Sequence, residues 1–465
     1  MRFGMLFNLK KNVSLELHSS FKFMESKTNI PFRKEALTKL LNAIIIHENE
    51  IIDALYFDFK KPAFETVITE TSYVISDLKD TIKNLKSWSK PKRVFPSLIN
   101  FPSKDYIYKE PYGKVLIISP WNYSFQLALC PLIAAFAAGN QVVLKPSELT
   151  PKTSEIIEKI ISKVFDDKQV KVILGGIEVA QQLLAERWDY IFFTGSVPVG
   201  KIVAKAAAEN LTPVTLELGG KNPCIIDETA NLKLAAKRIV WGKFMNAGQT
   251  CIAPDYILIQ KDMKSHFVDY MKVEITKAYG ENPSNSPDFA RIINTKNWQR
   301  LVDKIDPKKV IFGGQTNLEN CYIAPTLIEE NSLESEIMKD EIFGPILPIL
   351  TYENQNDIDV IISNYEKPLA LYIFTENQIF SKQMIQNYSF GGGCVNDTII
   401  HFSNKRLPFG GVGHSGIGAY HGSLSFYTFS HKKSIVKKSN LLDLPMRYAP
   451  YQDKLATIRK LLKWL

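Results

Sequence analysis

The chain has 465 residues, 45% of them hydrophobic and 23% charged, with five cysteines and a formal net charge of +9. That length exceeds what a single hydrophobic core supports, so two or three packed lobes are expected, and the composition excludes a disordered or fibrous protein. Dispersed Lys and Arg without a recognition motif argue against nucleic acid, and scattered, odd-numbered cysteines with no C-x-x-C pair argue against a disulfide framework or a metal site, leaving a cytoplasmic location as the expectation.

The first twenty residues carry three basic side chains, but their apolar run is too short for a signal peptide. No apolar run of roughly 18 residues follows, so no membrane span is expected. From Phe32 to Phe59, Leu37, Leu40, Leu41, Ile44, Ile45, Ile51, Ile52 and Leu55 recur at helical spacing, with Lys34, Glu35, Glu48 and Glu50 off that face. Pro91, Pro96 and Pro102 then exclude helix interior between Ser89 and Tyr106, which reads as an extended arm.

Five β-prone runs come next: "KVLIIS", "QVVLK", "VKVILGG", "YIFFTGS" and "TPVTLEL", separated by segments of helical character. This alternation predicts βαβ units and a parallel sheet, whose ligands sit at the carboxyl ends of the strands. A second α/β region covers roughly 217–400, with strand-like "CIIDE", "YILIQ", "VIFGG", "ILPIL" and "ALYIF". Beyond it "RLPFGGVGHSGIGAYHG" is too glycine-rich for a regular element, and "SFYTFSHKKSIVKK" alternates like an edge strand. In the tail, Leu455, Ile458, Leu461, Leu462 and Leu465 share one side of a basic helix, expected to dock on protein rather than lie on a membrane surface.

The strand ends carry the candidate chemistry. Asn122 follows the first run, Lys145 and Glu148 the second, a turn from Gly195 through Ser196 to Gly200 the fourth, and Glu217 with Leu218 the fifth. The turn "GSVPVG" is not the G-x-G-x-x-G fingerprint, yet a helix starting there offers N–H groups to a phosphate, and Lys145 and Glu148 are placed to bond ribose hydroxyls. Each feature alone also fits a plain turn or a solvated side chain. Cys251, in "NAGQTCIAPDYILIQ", reads by position alone as a small buried residue at the start of a strand.

Together "SPWNY", "KPSE", "FTGS", "LELGGKNP", "GQTC", "EIFGP" and "LPFGGVGHSG", in that order, resemble the NAD(P)-dependent aldehyde dehydrogenase superfamily over nearly the whole chain. "PWNY", "GQTCIAPDYIL", "GAYHG" and "FSHKKS" are similar to its class 3 branch. Cys394 and His414 stand where threonine and asparagine are more usual. The resemblance implies an α/β fold: a Rossmann-type parallel-sheet cofactor domain over 1–216 apart from the arm 89–106, an α/β catalytic domain over 217–400, a bridging element over 401–440 and a tail over 441–465. It also implies a homodimer, built through the arm and the strand 425–437.

By the same resemblance, Cys251 attacks an aldehyde, Asn122 and the Cys251 N–H hold the oxyanion, and Glu217 activates water to hydrolyse the thioester. Glu341 and Phe343 hold the nicotinamide ribose and line its ring, joining Lys145, Glu148, Gly195, Ser196, Gly200 and Leu218 at the cofactor; Asn396 supports the geometry. NAD is the expected cofactor, with NADP possible, because Glu148 accepts from a free 2′-hydroxyl and repels a phosphate. Tyr123, Phe244, Met245 and Ile399 predict an apolar aldehyde. The alternatives are a CoA-acylating aldehyde dehydrogenase, which needs no hydrolytic base, a cysteine-dependent acyl hydrolase, which needs a histidine beside the thiol, and a non-catalytic structural member of the family.

Overall fold

The computed structural model describes residues 29–97, 100–452 and 454–463; the opening segment read above as lacking a signal peptide lies outside them. Asn29 caps the first described helix, Ile30–Ile46, by accepting from the Phe32 N–H at 3.0 Å, with Pro31 in its first turn. The amphipathic stretch is two helices, because His47 interrupts it before Glu48–Phe59; Leu37, Leu40, Ile44, Ile51 and Leu55 all point inward. A third helix begins at Ala63–Thr66, widens into a π-helical turn at Val67–Thr71 and continues as Ser72–Ser89.

The Pro-rich arm contributes β1 (Lys92–Val94) and β2 (Ser103–Pro111), paired antiparallel. The five β-prone runs become β3 (Lys114–Ile118), β4 (Gln141–Lys145), β5 (Val170–Val172), β6 (Tyr190–Thr194) and β7 (Val214–Glu217), a parallel sheet in the order β7-β6-β3-β4-β5. The crossover helix Gln126–Ala138 is buried at every residue and tolerates Pro131, since a helix apolar all round belongs inside.

The second sheet draws on β8 (Pro223–Ile226), β9 (Tyr256–Gln260) and β10 (Val310–Phe312). After a small hairpin, β11 (Thr316–Asn317) with β12 (Tyr322–Ile323), it adds β13 (Thr326–Glu329), β14 (Ile346–Tyr352), β15 (Ala370–Phe374) and β16 (Gly392–Val395). Its order is β10-β13-β14-β9-β8-β15-β16, parallel except for β10. β17 (Gly416–Ile417) then pairs antiparallel with β7, setting Gly416 opposite Glu217. β18 (Ser430–Lys438) runs antiparallel to β2 along its whole length and completes the arm.

One expected strand is corrected. The edge strand read from Ser425 starts only at Ser430, and Gly422–Thr428 is helical. The buried set Gly422, Ser425, Phe426 and Phe429 has helical spacing, and Phe426 packs on Trp88 with ring centroids 5.9 Å apart. On the tail helix Lys454–Leu462, Lys454 donates to the carbonyls of Pro445 and Tyr448, while Leu455 and Leu462 are 56% and 52% exposed. Leu465 lies outside the described residues, among which no helix is long and apolar enough to cross a membrane.

The glycine-rich segment before β17 crosses the start of β16 so closely that a Cβ on Gly391 would lie 2.4 Å from the Gly410 carbonyl oxygen and 2.7 Å from that of Leu369. Both obstacles are backbone. Gly391→Ala is expected to lower stability by about 1–3 kcal/mol, seen as a fall in thermal midpoint; an unchanged midpoint would show that the crossing yields freely.

Candidate active site

The helix Leu232–Phe244 ends in a tight turn, Met245–Gly248, in which Asn246 and Ala247 take left-handed φ of 55° and 52°. This turn delivers Cys251 ahead of β9. Its backbone is buried, so its polar groups need partners, and amide side chains supply them. Gln249 donates to the carbonyls of Asn246 and Arg291, both at 3.0 Å, and accepts from the Ile293 N–H. Asn222 donates to the carbonyls of Cys251 (2.8 Å) and Ala253 (3.0 Å) while accepting from the Ala370 N–H. Asn222 sits inside "LELGGKNP" and was not singled out in the sequence, because its partner is a backbone atom far along the chain.

The Cys251 thiol is half-buried beside two carboxyl groups. Burial holds it well above its ordinary range, Glu341 and Glu217 push the same way, and the N–H groups of Cys251 and Ile252 oppose them. Asn122 follows β3, is buried, and donates from Nδ2 to the Gln249 carbonyl at 3.0 Å, which leaves its second N–H for another acceptor. Glu217 is the last residue of β7. Only 3% exposed, it has no hydrogen-bond partner among the described residues on either carboxylate oxygen, and burial raises its pKa well above the usual carboxylate range.

Two cavities meet at these groups, and Cys251 and Glu217 line both. The first is apolar, walled by Tyr123, Leu127, Met245, Ile399, Phe402 and Phe409 among others. Phe244 is not on that wall; it is fully buried in the core one residue before the turn. The second is a polar cleft that includes Trp121, Asn122, Gly195, Ser196, Leu218 and Glu341.

The cleft has the features of an anion and ribose site. Ser196, on the cleft wall, precedes the helix Val197–Glu209 and makes no side-chain capping bond, so the positive end of that helix begins beside the cleft. Gly200, in that helix, meets Leu218: a Cβ there would come within 2.6 Å of Leu218 Cδ2. Glu341 lies against Gly219, where a Cβ would be 2.0 Å from its carboxylate. Burial, reinforced by Asp255, pushes the Glu341 pKa up to about 8 against the pull of the Gly220 N–H, Arg300 and Lys221. Phe343 takes a φ of 52° and meets Trp121 edge-on at 5.4 Å.

Lys145 and Glu148 line neither cavity; they pair with each other at 2.5 Å at the end of β4, with Lys145 buried. Asn396 is also away from both cavities and locks a turn, its amide exchanging two 2.8 Å bonds with the backbone of Thr375. Asn297 and Arg300 line the cleft without having been foreseen, and Arg300 donates to the Ile342 carbonyl at 2.9 Å, bracing the loop that carries Glu341 and Phe343.

Known proteins share the sequence and fold of this chain over most of its length. A family model described as the aldehyde dehydrogenase family matches residues 18–435. The chain is 47% identical to the 4,4'-diaponeurosporen-aldehyde dehydrogenase of Staphylococcus aureus, covering 95% of this chain and 98% of that one. It is 42% identical to aldehyde dehydrogenase family 3 member H1 of Arabidopsis thaliana over 97% of this chain and 94% of the relative. A solved structure described as the substrate-bound state of Staphylococcus aureus AldH superposes with a TM-score of 0.93 at 47% identity, covering 95% and 97% of the two chains. An NAD+ complex of a Bacillus cereus aldehyde dehydrogenase matches at 25% identity with a TM-score of 0.81, covering 90% of this chain and 86% of that one. The chain therefore belongs to the aldehyde dehydrogenase family, in its family 3 branch, and oxidises an aldehyde to the carboxylic acid by the chemistry of that NAD(P)-dependent family.

Proposed function

We propose that Cys251 is the nucleophile, Asn122 the oxyanion donor and Glu217 the hydrolytic base of this oxidation. The observation that carries the assignment is the junction: one thiol and one unpartnered buried carboxyl line both the apolar cavity and the polar cleft. Cys251 Sγ bonds to the aldehyde carbon, and the oxygen that gains the electron pair takes hydrogen bonds from the free N–H of Asn122 and from the Cys251 backbone. A nicotinamide cofactor, when held in the cleft, would supply the hydride acceptor; Cys251 carries the thiohemiacetal before that transfer and the thioester after it. Glu217 takes a proton from water as that water adds to the thioester, and the acid departs as the thiol reforms.

Ser196, Gly195, Gly200, Leu218, Glu341 and Phe343 would hold the cofactor, the helix start serving its phosphates and Glu341 its nicotinamide ribose. Lys145 and Glu148, at the end of β4, would hold its adenosine ribose. The parallel sheet of β3–β7, within 1–216 but apart from the arm, is the cofactor domain, 217–400 the catalytic domain and 401–440 the bridging element, ahead of the tail 441–465. No histidine lines either cavity, which disfavours an acyl hydrolase. A buried carboxyl beside the thiol disfavours a CoA-acylating enzyme.

Cys251→Ala is expected to abolish aldehyde-dependent NADH formation. Glu217→Gln is expected to give a burst near one NADH per site and then a steady rate at least ~100-fold down. The thiol and Glu217 both have raised pKa values and both act after losing a proton, so activity is present at high pH and lost as pH falls; kcat/KM should be higher in alkali than at neutral pH. Turnover by Cys251→Ala, an undiminished steady rate in Glu217→Gln, or a profile falling towards alkali would each remove the corresponding assignment.

The substrate is an apolar aliphatic or aromatic aldehyde and the preferred cofactor NAD. The first cavity offers no cation to a charged aldehyde, and Glu148 would repel a 2′-phosphate. Initial rates with hexanal, benzaldehyde and succinic semialdehyde, each with NAD and NADP, test both; preference for the semialdehyde or for NADP refutes the matching half. The protein is a cytoplasmic homodimer, joined through the arm of β1, β2 and β18. Five free cysteines fit a reducing compartment, and a chain that sediments as a monomer at micromolar concentration would refute the dimer.

A further inference from the structure

The helical layer outside both sheets holds a buried charge cluster that the mechanism above does not use. Lys61 and Glu70 are fully buried and paired at 2.6 Å, and the Lys61 ammonium lies 4.0 Å from the ring centroid of Tyr123. The other Glu70 oxygen accepts from the N–H groups of Phe125 and Gln126, each at 2.9 Å, at the entry to the helix that follows Asn122. Glu65, 8% exposed, accepts at 2.9 Å from the N–H of Asn246, the first left-handed residue of the turn before Cys251. Asn246 passes the contact on, donating from Nδ2 to the carbonyls of Asn122 (2.9 Å) and Gln249 (3.1 Å).

The local helix geometry accounts for this reach. Residues five apart on an α-helix diverge by about 140°, so Glu65 and Glu70 would address different surroundings. The π-helical turn Val67–Thr71 has the i to i+5 repeat, and with it both carboxyl groups reach segments of the active site. Such turns carry a strain cost and gather at functional sites. Burying two carboxylates and an ammonium costs several kcal/mol unless the geometry is closely satisfied. Here the bonds go to the two stretches of backbone that carry the nucleophile and the oxyanion donor.

We propose that Glu65, supported by Lys61 and Glu70 across the π-helical turn, is a positioning residue that sets the Cys251 turn against Asn122. This rests on the reading of Cys251 as the nucleophile. The contact acts on the Cys251 turn and touches none of Gly195, Ser196, Gly200, Leu218, Glu341 and Phe343, so NADH affinity should change little on its loss.

The test uses the full-length protein, with Glu65→Ala to remove the acceptor, Glu65→Gln to restore an uncharged one, and Asn246→Gly to keep the left-handed backbone but lose the amide link to Asn122. Each variant is checked for folding by circular dichroism, then measured for kcat, NADH affinity and the rate of iodoacetamide labelling at Cys251, read by peptide mass. Glu65→Ala and Asn246→Gly are expected to lose at least tenfold in kcat and to change the labelling rate at least threefold, with NADH affinity within twofold of wild type. Glu65→Gln should recover to within threefold of wild-type kcat. Folded Glu65→Ala with kcat and labelling within twofold of wild type overturns the proposal, as does a parallel loss of NADH affinity. If Glu65→Ala does not fold, Asn246→Gly decides by the same criteria. Labelling reports the loop without assuming its chemistry, so turnover by Cys251→Ala would refute the nucleophile and leave the loop measurement readable.

Discussion

The carboxyl group of Glu217 ends β7 inside the protein with no hydrogen-bond partner, and the surrounding structure is organised around that cost. An ionised carboxylate without partners is several kcal/mol uphill of one in water, so burial raises the pKa of the group and favours its protonated form. The backbone does not relieve it: β17 pairs Gly416 opposite Glu217 and leaves the side chain facing the junction of the two cavities. A base kept protonated in a dry site gains strength when ionised, since little solvent competes for it. The same dryness raises the thiol, so the two groups favour each other's neutral form. The resting site is thus poised, with activation depending on what enters.

Around this pair the chain spends amides instead of charges. Asn122, Asn222, Asn246 and Gln249 are all buried and all bond to backbone carbonyls near the thiol. A loop carried indoors must have its carbonyl groups satisfied, or each costs about 1–3 kcal/mol. A neutral amide does this without adding a charge that would perturb Cys251 or Glu217. Two buried ion pairs stand one layer further out, Lys221 and Asp255 at 2.7 Å beneath the Glu341 loop and Lys61 and Glu70 beneath Tyr123. Lys221 also donates to the carbonyls of Ile337 and Asp340, so this outer pair fixes the approach to Glu341.

Much of this was legible in the sequence, for definable reasons. β3 to β7 are short apolar runs between helices, a pattern strong enough to fix the sheet and to place Asn122, Ser196 and Glu217 at its carboxyl edge. The motif resemblance picked out Cys251, Glu217 and Asn122, which the fold brings to one junction. What escaped depended on contacts between distant segments. The stretch from Ser425 to Thr428 looked like the start of a strand because its aromatic residues are β-prone, and only packing on Trp88 reveals the helical set of Gly422–Thr428. β16, "GGCV", carries almost no propensity and is a strand because β15 pairs with it. Glu65 lies far from Asn246 in the chain and had no local signal at all. Lys145 and Glu148 were read as ribose ligands, and in the structure each first satisfies the other.

The two cavities also decide how a substrate's polarity is judged. A methylene moved from water onto the wall formed by Leu127, Met245, Ile399 and Phe402 gains about 0.8 kcal/mol, so a chain of about five gains roughly 4 kcal/mol. A carboxylate carried the same way finds Tyr123, Phe409 and Tyr420, none of them a cation, and loses several kcal/mol of hydration. The difference between the two tails is therefore several kcal/mol before any reacting atom is considered. Both tails would place the same aldehyde carbon at Cys251, where the walls change from apolar to polar. Cys251 and Glu217 thus stand at the point where the apolar cavity ends and the more polar cleft begins.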